Sequence, residues 1–309
     1  MEYILSTNAL TKQYKGVKVV NGVNMHIRKG DVYGFVGENG AGKTTIIRLL
    51  TGLANPSGGD FDLFGVNSKT GDISTIKRKM AAVVESPSIY LNMSAYDNLV
   101  LQCRLLGIKD FSIIPDVLEQ VGLSDVLNDK KSAGRFSLGM RQRLGIAMAL
   151  IGNPEFIILD EPMNGLDPEG IIGIRELIIK LNTEKGITFL ISSHILDELQ
   201  KVATTFGFIH KGELIRELTV EQLHEECRKC IEIVVENVDY TLKVLEELEE
   251  INSYKVLQNG IIRIYDEITV NALVKILDTK NLMIKKFNSN DENIEEFYLN
   301  MIRGGVNNA

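Results

Sequence analysis

The chain has 309 residues, 44% of them hydrophobic, which exceeds one ordinary domain and suffices for two cores. Its net charge is −7, yet residues 1–217 carry 24 acidic and 24 basic side chains, and the whole excess falls in 218–309, with 17 acidic against 10 basic. An acidic last third repels phosphate backbones and argues against nucleic acid as its partner.

No apolar run approaches the roughly 20 residues of a membrane-spanning helix. The start, MEYILSTNALTKQYKG, lacks the basic-then-apolar order of a signal peptide, so a cytoplasmic chain that reaches a membrane only through a partner is expected. Reduced thiols are expected at Cys103, Cys227 and Cys230. Cys227 and Cys230 have the spacing of half a zinc site, but only His224 lies near, and no metal is expected there.

From Met1 to about Arg216, short β-rich runs alternate with helical patterns, as in a sheet with crossover helices. DVYGFVG (31–37), MAAVVE (80–85), EFIILD (155–160) and ITFLIS (187–192) predict strands, each ending in a polar or Gly-rich turn. Polar residues therefore gather at the carboxyl edge of the sheet, where ligands bind. Between Pro87 and Ile151 the text predicts only helices. Ser94 is an N-cap with Asp97 in the first turn of SAYDNLVLQCRLLG, Pro115 starts PDVLEQVG, and LGMRQRLGIAMALIG closes the block. This reads as a helical subdomain at about 87–151, its Met and Leu stripe serving as core packing.

Residues 208–215, FIHKGELI, predict a hairpin around Lys211-Gly212, and TVEQLHEECRK a linker helix. The order then becomes IEIVVE, YTLKVLEELE, SYKVL, IIRIYD, VNALVKILD and MIKKFN, with a last amphipathic helix near IEEFYLNMI. That β-α-β-β-α-β order predicts a small α+β, ferredoxin-like domain over 218–309, beside an α/β domain over 1–217. It contains no motif that carries chemistry.

Chemistry concentrates in the first domain. Gly37-Glu38-Asn39-Gly40-Ala41-Gly42-Lys43-Thr44, with Thr45 behind it, follows a predicted strand and opens a helix, the context of a phosphate-binding P-loop. Glycines let backbone N–H groups turn inward around phosphates at the positive end of the helix. Lys43 is expected to reach the β- and γ-phosphates and Thr44 to hold Mg²⁺. FIILDE (156–161) is an apolar strand ending in two acids: Asp160 would hold Mg²⁺ through water, and Glu161 would polarise water for attack on the γ-phosphate. Glu85, where Ser86-Pro87 turns the chain, reads on local sequence alone as a solvated loop residue.

With these motifs in place, the chain resembles the ATP-binding subunits of ABC transporters over nearly all of residues 3–216. FSLGMRQR (136–143) stands where the family has its LSGGQ signature, Asn164-Gly165-Leu166-Asp167 looks like the D-loop, Ser192-Ser193-His194 like the switch histidine, and Tyr14 like the aromatic that stacks on adenine. The resemblance implies a P-loop ATPase core of mixed sheet, antiparallel β subdomain and helical subdomain. It also implies ATP and Mg²⁺ as cofactors, and a sandwich of two copies in which Ser137, Leu138, Gly139 and Met140 close the partner's ATP. Leu138 replaces a Gly, Met140 a Gln and Met163 a Thr, while Ser137, Gly139, Lys43, Glu161 and His194 are kept, so both sites of a homodimer are expected to hydrolyse ATP. His194 would meet the γ-phosphate; His26, His210 and His224 read as structural.

At the position of Glu85 the family normally has Gln, which touches Mg²⁺ and sits in a loop that contacts the membrane subunit. VVESP is characteristic of exporters of the bacitracin and lantibiotic-immunity type, and FSLGMRQRLGIA, NGLDPEGI, SSHILDEL and the acidic C-terminal domain ending FYLNMIRGG are similar to that subgroup. The resemblance thus makes Glu85 a third Mg²⁺ residue beside Thr44 and Asp160. It implies an ATPase at the cytoplasmic face that drives a separate permease to expel a peptide antibiotic. Alternatives are an exporter subunit for another drug, lipid or ion, and a soluble ABC ATPase on nucleic acid, though such proteins usually carry two cores or a coiled-coil insertion.

Overall fold

The computed structural model describes residues 2–305 apart from 228–229, 249–250, 252, 258–259, 267, 281, 283 and 291–293. Contacts between Cα atoms divide the chain into two compact units, Met1–Val220 and Glu221–Ala309.

The strands of the first unit are, in chain order, β1 (Tyr3–Tyr14), β2 (Val17–Val23), β3 (His26–Arg28), β4 (Val32–Val36), β5 (Gly58–Leu63), β6 (Val66–Asn67), β7 (Met80–Val83), β8 (Phe156–Asp160), β9 (Thr188–Ser193), β10 (Thr205–His210) and β11 (Glu213–Thr219). They form two sheets. One is antiparallel, in the order β2-β1-β5-β6 with β3 on β1. The other runs β11-β10-β4-β9-β8-β7, parallel from β10 to β7 and antiparallel only at β11. Every residue of β4, β8 and β9 is buried, as expected of parallel strands covered on both faces.

The antiparallel sheet escapes a reading by periodicity. β1 has the irregular burial of a strand with an interrupted register, and Ala9, at φ 46°, falls inside the register shift between Asn8 and Thr11. The strand predicted at 80–85 stops at Val83, because Ser86 N–H donates to the Val84 carbonyl and Glu85 adopts φ 61°. Pro115 is the third residue of a helix that begins earlier, Ile113–Gln120, since a missing N–H costs nothing in a first turn.

Between β7 and β8 the described residues hold helices only. Ser94 caps Ala95–Leu105, accepting from Asp97 N–H at 3.1 Å, and Leu138–Leu150 closes the block. The hairpin at Lys211-Gly212 forms with both residues at positive φ (46° and 83°), the turn that suits the twist of β10 and β11. Gly207 of β10 leaves room for Tyr33 of β4, because an added Cβ would lie 2.0 Å from the phenol oxygen. The buried phenol crosses that gap and donates to Glu217 of β11 at 2.7 Å. Burial, with the Glu217 charge beside it, raises the Tyr33 pKa well above its ordinary value, so the phenol stays a donor.

The second unit carries β12 (Cys230–Val235), β13 (Tyr254–Val256), β14 (Ile261–Ile264) and β15 (Ile284–Asn290) in the order β13-β14-β12-β15, all antiparallel. Helices Val238–Glu246 and Val270–Thr279 connect β12 to β13 and β14 to β15. This is the ferredoxin-like split β-α-β arrangement. Ile231, Ile233, Ile262 and Ile264 form one buried face with Val244, Leu245, Leu273 and Leu277. On the alternate positions Arg263 Nε donates to Glu232 across the β12–β14 register at 2.9 Å.

Candidate active site

The parallel strands deliver their carboxyl ends to one edge. Residues 37–42 leave β4 there and enter the helix Lys43–Thr51. Gly37 is packed so closely that an added Cβ would sit 2.6 Å from both Ile209 Cγ2 and the Ile209 carbonyl; Gly42 adopts φ 109°. The hairpin after β10 braces this loop through the Gly212 N–H, which donates to the Ala41 carbonyl at 2.8 Å. His210, read from sequence as structural, places Nδ1 3.8 Å from Glu38 Oε2 of the same loop. Glu38, Asn39 and Gly40 are exposed, Ala41 is buried, and Gly42, Thr44 and Thr45 are half-buried.

Lys43 is 5% exposed and fully engaged. Its ammonium donates to the Gly37 and Glu38 carbonyls and lies 3.3 Å from Glu161 Oε1. The other Glu161 oxygen meets His194 Nδ1 at 2.8 Å. Glu161 follows β8 at φ 51°, a left-handed conformation uncommon for a side chain that is not glycine. Its N–H donates to the Ser192 hydroxyl at 3.0 Å and the Ser192 carbonyl at 3.2 Å.

Asp160, the last residue of β8, is 2% exposed. The Ser192 hydroxyl donates to its Oδ1, while Oδ2 is buried with no hydrogen-bond partner. An orphaned carboxylate oxygen in a buried site is costly unless a cation answers it. Lys43 is turned to Glu161, so the pair of acids exceeds the cations facing them. Among the described residues the Thr44 hydroxyl meets no hydrogen-bond partner either. These oxygens suit a hard divalent cation such as Mg²⁺.

Other predicted residues lie apart from this cluster. Ser137 caps Leu138–Leu150, its hydroxyl accepting from Met140 N–H at 3.2 Å, and Asp167 caps Pro168–Lys185, accepting from Gly170 N–H at 3.1 Å. The two motifs pack on each other: a Cβ on Gly165 would lie 3.4 Å from Leu138 Cδ2, and one on Gly139 3.9 Å from Leu166 Cδ2. Ser137 and Leu138 are exposed, and Gly139 and Met140 half-buried. Tyr14 is exposed at the end of β1, with the Lys12 ammonium 4.8 Å from its ring centroid. Glu85 is exposed, and its carboxylate pairs with Arg48 on the outer side of the P-loop helix.

The loop after Glu85 borders a cleft of about 700 Å³ between β7 and the helical block, lined by Val84, Pro87, Gln102, Leu106, Gly145 and Met148 among others. Among the described residues, no group of three or more His, Cys, Asp or Glu forms a preassembled metal cluster, and no helix is long and apolar enough to cross a membrane. Sequence reasoning quoted Ser192 in the motif before His194 but gave it no role of its own, because its hydroxyl is one of three in the buried strand β9, beside those of Thr188 and Ser193.

The family model for the ABC transporter matches residues 20–164. A bacitracin transport ATP-binding protein, BcrA of Enterococcus faecalis, is 41% identical over 306 residues, 99% of this chain and 98% of its own. A lantibiotic transport ATP-binding protein, SrtF of Streptococcus pyogenes, is 44% identical over 214 residues, 69% of this chain and 90% of its own. Among solved structures, cbiO1 of Clostridium perfringens, part of the ABC transporter complex cbiONQ, matches with a TM-score of 0.65 at 26% identity, covering 73% of this chain and 92% of that one. The P-loop, the paired acids after β8 and the histidine after β9 stand in one cluster on a fold and sequence shared along the chain; it belongs to the ATP-binding subunits of ABC transporters and is an ATPase of that family.

Proposed function

We propose that this ATPase works at the cytoplasmic face of a membrane, binding Mg-ATP between two copies of itself and driving a separate permease that expels a peptide antibiotic of the bacitracin or lantibiotic class. The cargo reading is supported by the reach of the BcrA likeness, which includes the second unit, whereas the SrtF match spans 69% of the chain. Glu85, in place of the family's Gln, points the same way.

The observation that carries the catalytic part is the Lys43–Glu161–His194 chain. The Lys43 ammonium lies 3.3 Å from Glu161 Oε1 and neutralises that carboxylate. A γ-phosphate in the P-loop draws the ammonium to itself, freeing Glu161 Oε1 to accept a proton from the attacking water while His194 holds Oε2 in place. Thr44 and Asp160 would hold Mg²⁺, joined by Glu85 if its carboxylate leaves Arg48, and the ion would neutralise phosphate charge there. Tyr14 stacks on the adenine. The Ser137 hydroxyl accepts from Met140 N–H and keeps its own proton to donate, so the start of the signature helix offers a donor and a positive dipole end to the partner's phosphate, with Gly139 allowing close approach and Asp167 bracing the motif. The permease seats in the cleft beside the Glu85 loop, where β7 and the helical block meet.

The test is a bacitracin-sensitive and nisin-sensitive bacterial host expressing the chain with its permease. Raised inhibitory concentrations that vanish with Glu161→Gln support the reading. Unchanged sensitivity to both peptides, with normal ATP hydrolysis by the purified protein, refutes the cargo and leaves the ATPase standing.

A further inference from the structure

We infer that Ser192 is the positioning residue of this ATP site, a single buried hydroxyl that sets both acids at once. It lies in β9, fully buried, two residues before His194, and β9 pairs with β8 so that Ser192 stands opposite Asp160. Its Oγ donates to Asp160 Oδ1 and accepts from Glu161 N–H at 3.0 Å. A hydroxyl has one proton and two lone pairs, and both roles are compatible in one orientation.

Each bond has its own consequence. The bond to Asp160 fixes which carboxylate oxygen is occupied by protein, leaving Oδ2 as the one without a partner. Without that bond the carboxylate rotates freely in a buried site, and both oxygens lack donors. The bond to Glu161, shared with the Ser192 carbonyl at 3.2 Å, holds its backbone at φ 51°. In the β region the side chain would leave the strand end on a different course, away from Lys43 and His194. Ser193, the adjacent hydroxyl, does neither: its Oγ accepts from Ile195 N–H at 2.9 Å within its own turn.

The inference rests on the reading of Asp160 as a Mg²⁺ residue, so the experiment separates the two. The affinity of the full-length protein for AMP-PNP is measured by calorimetry in Mg²⁺ and in EDTA, and the ratio reports what the metal contributes. Ser192→Ala removes one atom from a packed site and is expected to fold. It should lower the ratio about tenfold, as loss of one hydrogen bond to a charged group does, leave the EDTA affinity unchanged, and slow hydrolysis about tenfold through Glu161. Ser193→Ala should leave the ratio unchanged, and Asp160→Asn should abolish the Mg²⁺ advantage. If Ser192→Ala keeps the wild-type ratio while Asp160→Asn loses it, the role of Ser192 is overturned and that of Asp160 stands. Equal losses in Mg²⁺ and EDTA would reduce Ser192 to a structural residue and overturn the inference. An unchanged ratio in Asp160→Asn would remove the Mg²⁺ reading itself.

Discussion

The two sheets that anchor the two units differ in direction, and the difference decides where chemistry can be. In the first unit β4, β8, β9 and β10 run parallel, so four chain segments emerge at one edge and bring Lys43, Asp160, Glu161, His194 and His210 to neighbouring loops. In the second unit neighbouring strands are antiparallel, and their ends alternate between edges. Its charged residues pair across the sheet instead, as Arg263 does with Glu232. Burial follows the same division: β8 and β9 are buried throughout, whereas β12 alternates after its first residues.

The sharpest way to break this comparison is to remove one carboxylate from each unit. Glu161→Gln should keep Mg-ATP binding, slow hydrolysis by at least about 10²-fold, as loss of a catalytic base does, and trap an ATP-bound dimer visible by gel filtration. Glu232→Gln, which also removes an acid facing a cation, should leave turnover within about twofold, because that pair serves the sheet. Near-normal turnover in Glu161→Gln would end its assignment as the base. A tenfold loss in Glu232→Gln would show that the second unit reaches the chemistry.

Glycines give a second contrast. Gly37→Ala forces a methyl to 2.6 Å from Ile209, so we expect a loss of about 1–3 kcal/mol in stability and a rise of about tenfold in the KM for ATP as the P-loop shifts. Among the described residues, Gly260, at φ 77° in the second unit, has only an ordinary 3.6 Å neighbour in Val238 Cγ2. Gly260→Ala should cost about 1–2 kcal/mol of backbone strain and leave the KM unmoved. Thermal melts and steady-state kinetics on both variants decide it, and an unaltered KM in Gly37→Ala would show that the loop tolerates the intrusion.

Much of this was legible in the sequence because parallel strands and glycine loops leave strong local marks. FIILD could hardly be exposed, and GENGAGKT fits few conformations. The helix start at Ala95 was equally open, preceded by the capping Ser94. The antiparallel sheet was hidden because β1 bends at Ala9 and its burial loses the period of two. Ser192 was hidden for another reason: its importance lies in β9 standing beside β8, thirty-two residues away in the chain from Asp160. The Arg48 partner of Glu85 lay beyond any local pattern too, since it needs the P-loop helix to pass the end of β7.

That ion pair sharpens the comparison at smaller scale. Exposed pairs contribute little to stability, so Glu85→Gln and Arg48→Ala should each change it by less than about 1 kcal/mol. Their activities should part company. If Glu85 belongs to the Mg²⁺ site, Glu85→Gln weakens the Mg²⁺ dependence of hydrolysis and lowers turnover a few-fold, and Glu85→Ala costs more because the oxygen itself is gone. Arg48→Ala, which frees the carboxylate, should move the Mg²⁺ dependence the opposite way. Identical titrations for wild type and all three variants would return Glu85 to a solvated loop.

The smallest effect on the ATP site is expected from the largest excision. A fragment ending at Val220 retains every residue assigned to nucleotide, and the core that supports them, from Leu5 through Phe35 and Ile46 to Phe156, lies wholly within the first unit. The second unit has its own buried cluster, and its removal takes away the net charge of −7. The fragment should therefore fold and bind Mg-ATP within about twofold of the full chain, with assembly or regulation altered instead. Ionic strength adds a discriminating arm: if the acidic unit acts on nucleotide only through long-range repulsion, affinities of fragment and full chain converge as salt rises. A folded fragment that fails to bind ATP at any salt would mean that the second unit completes the site by contact, and the division of labour drawn from the two sheets would fall with it.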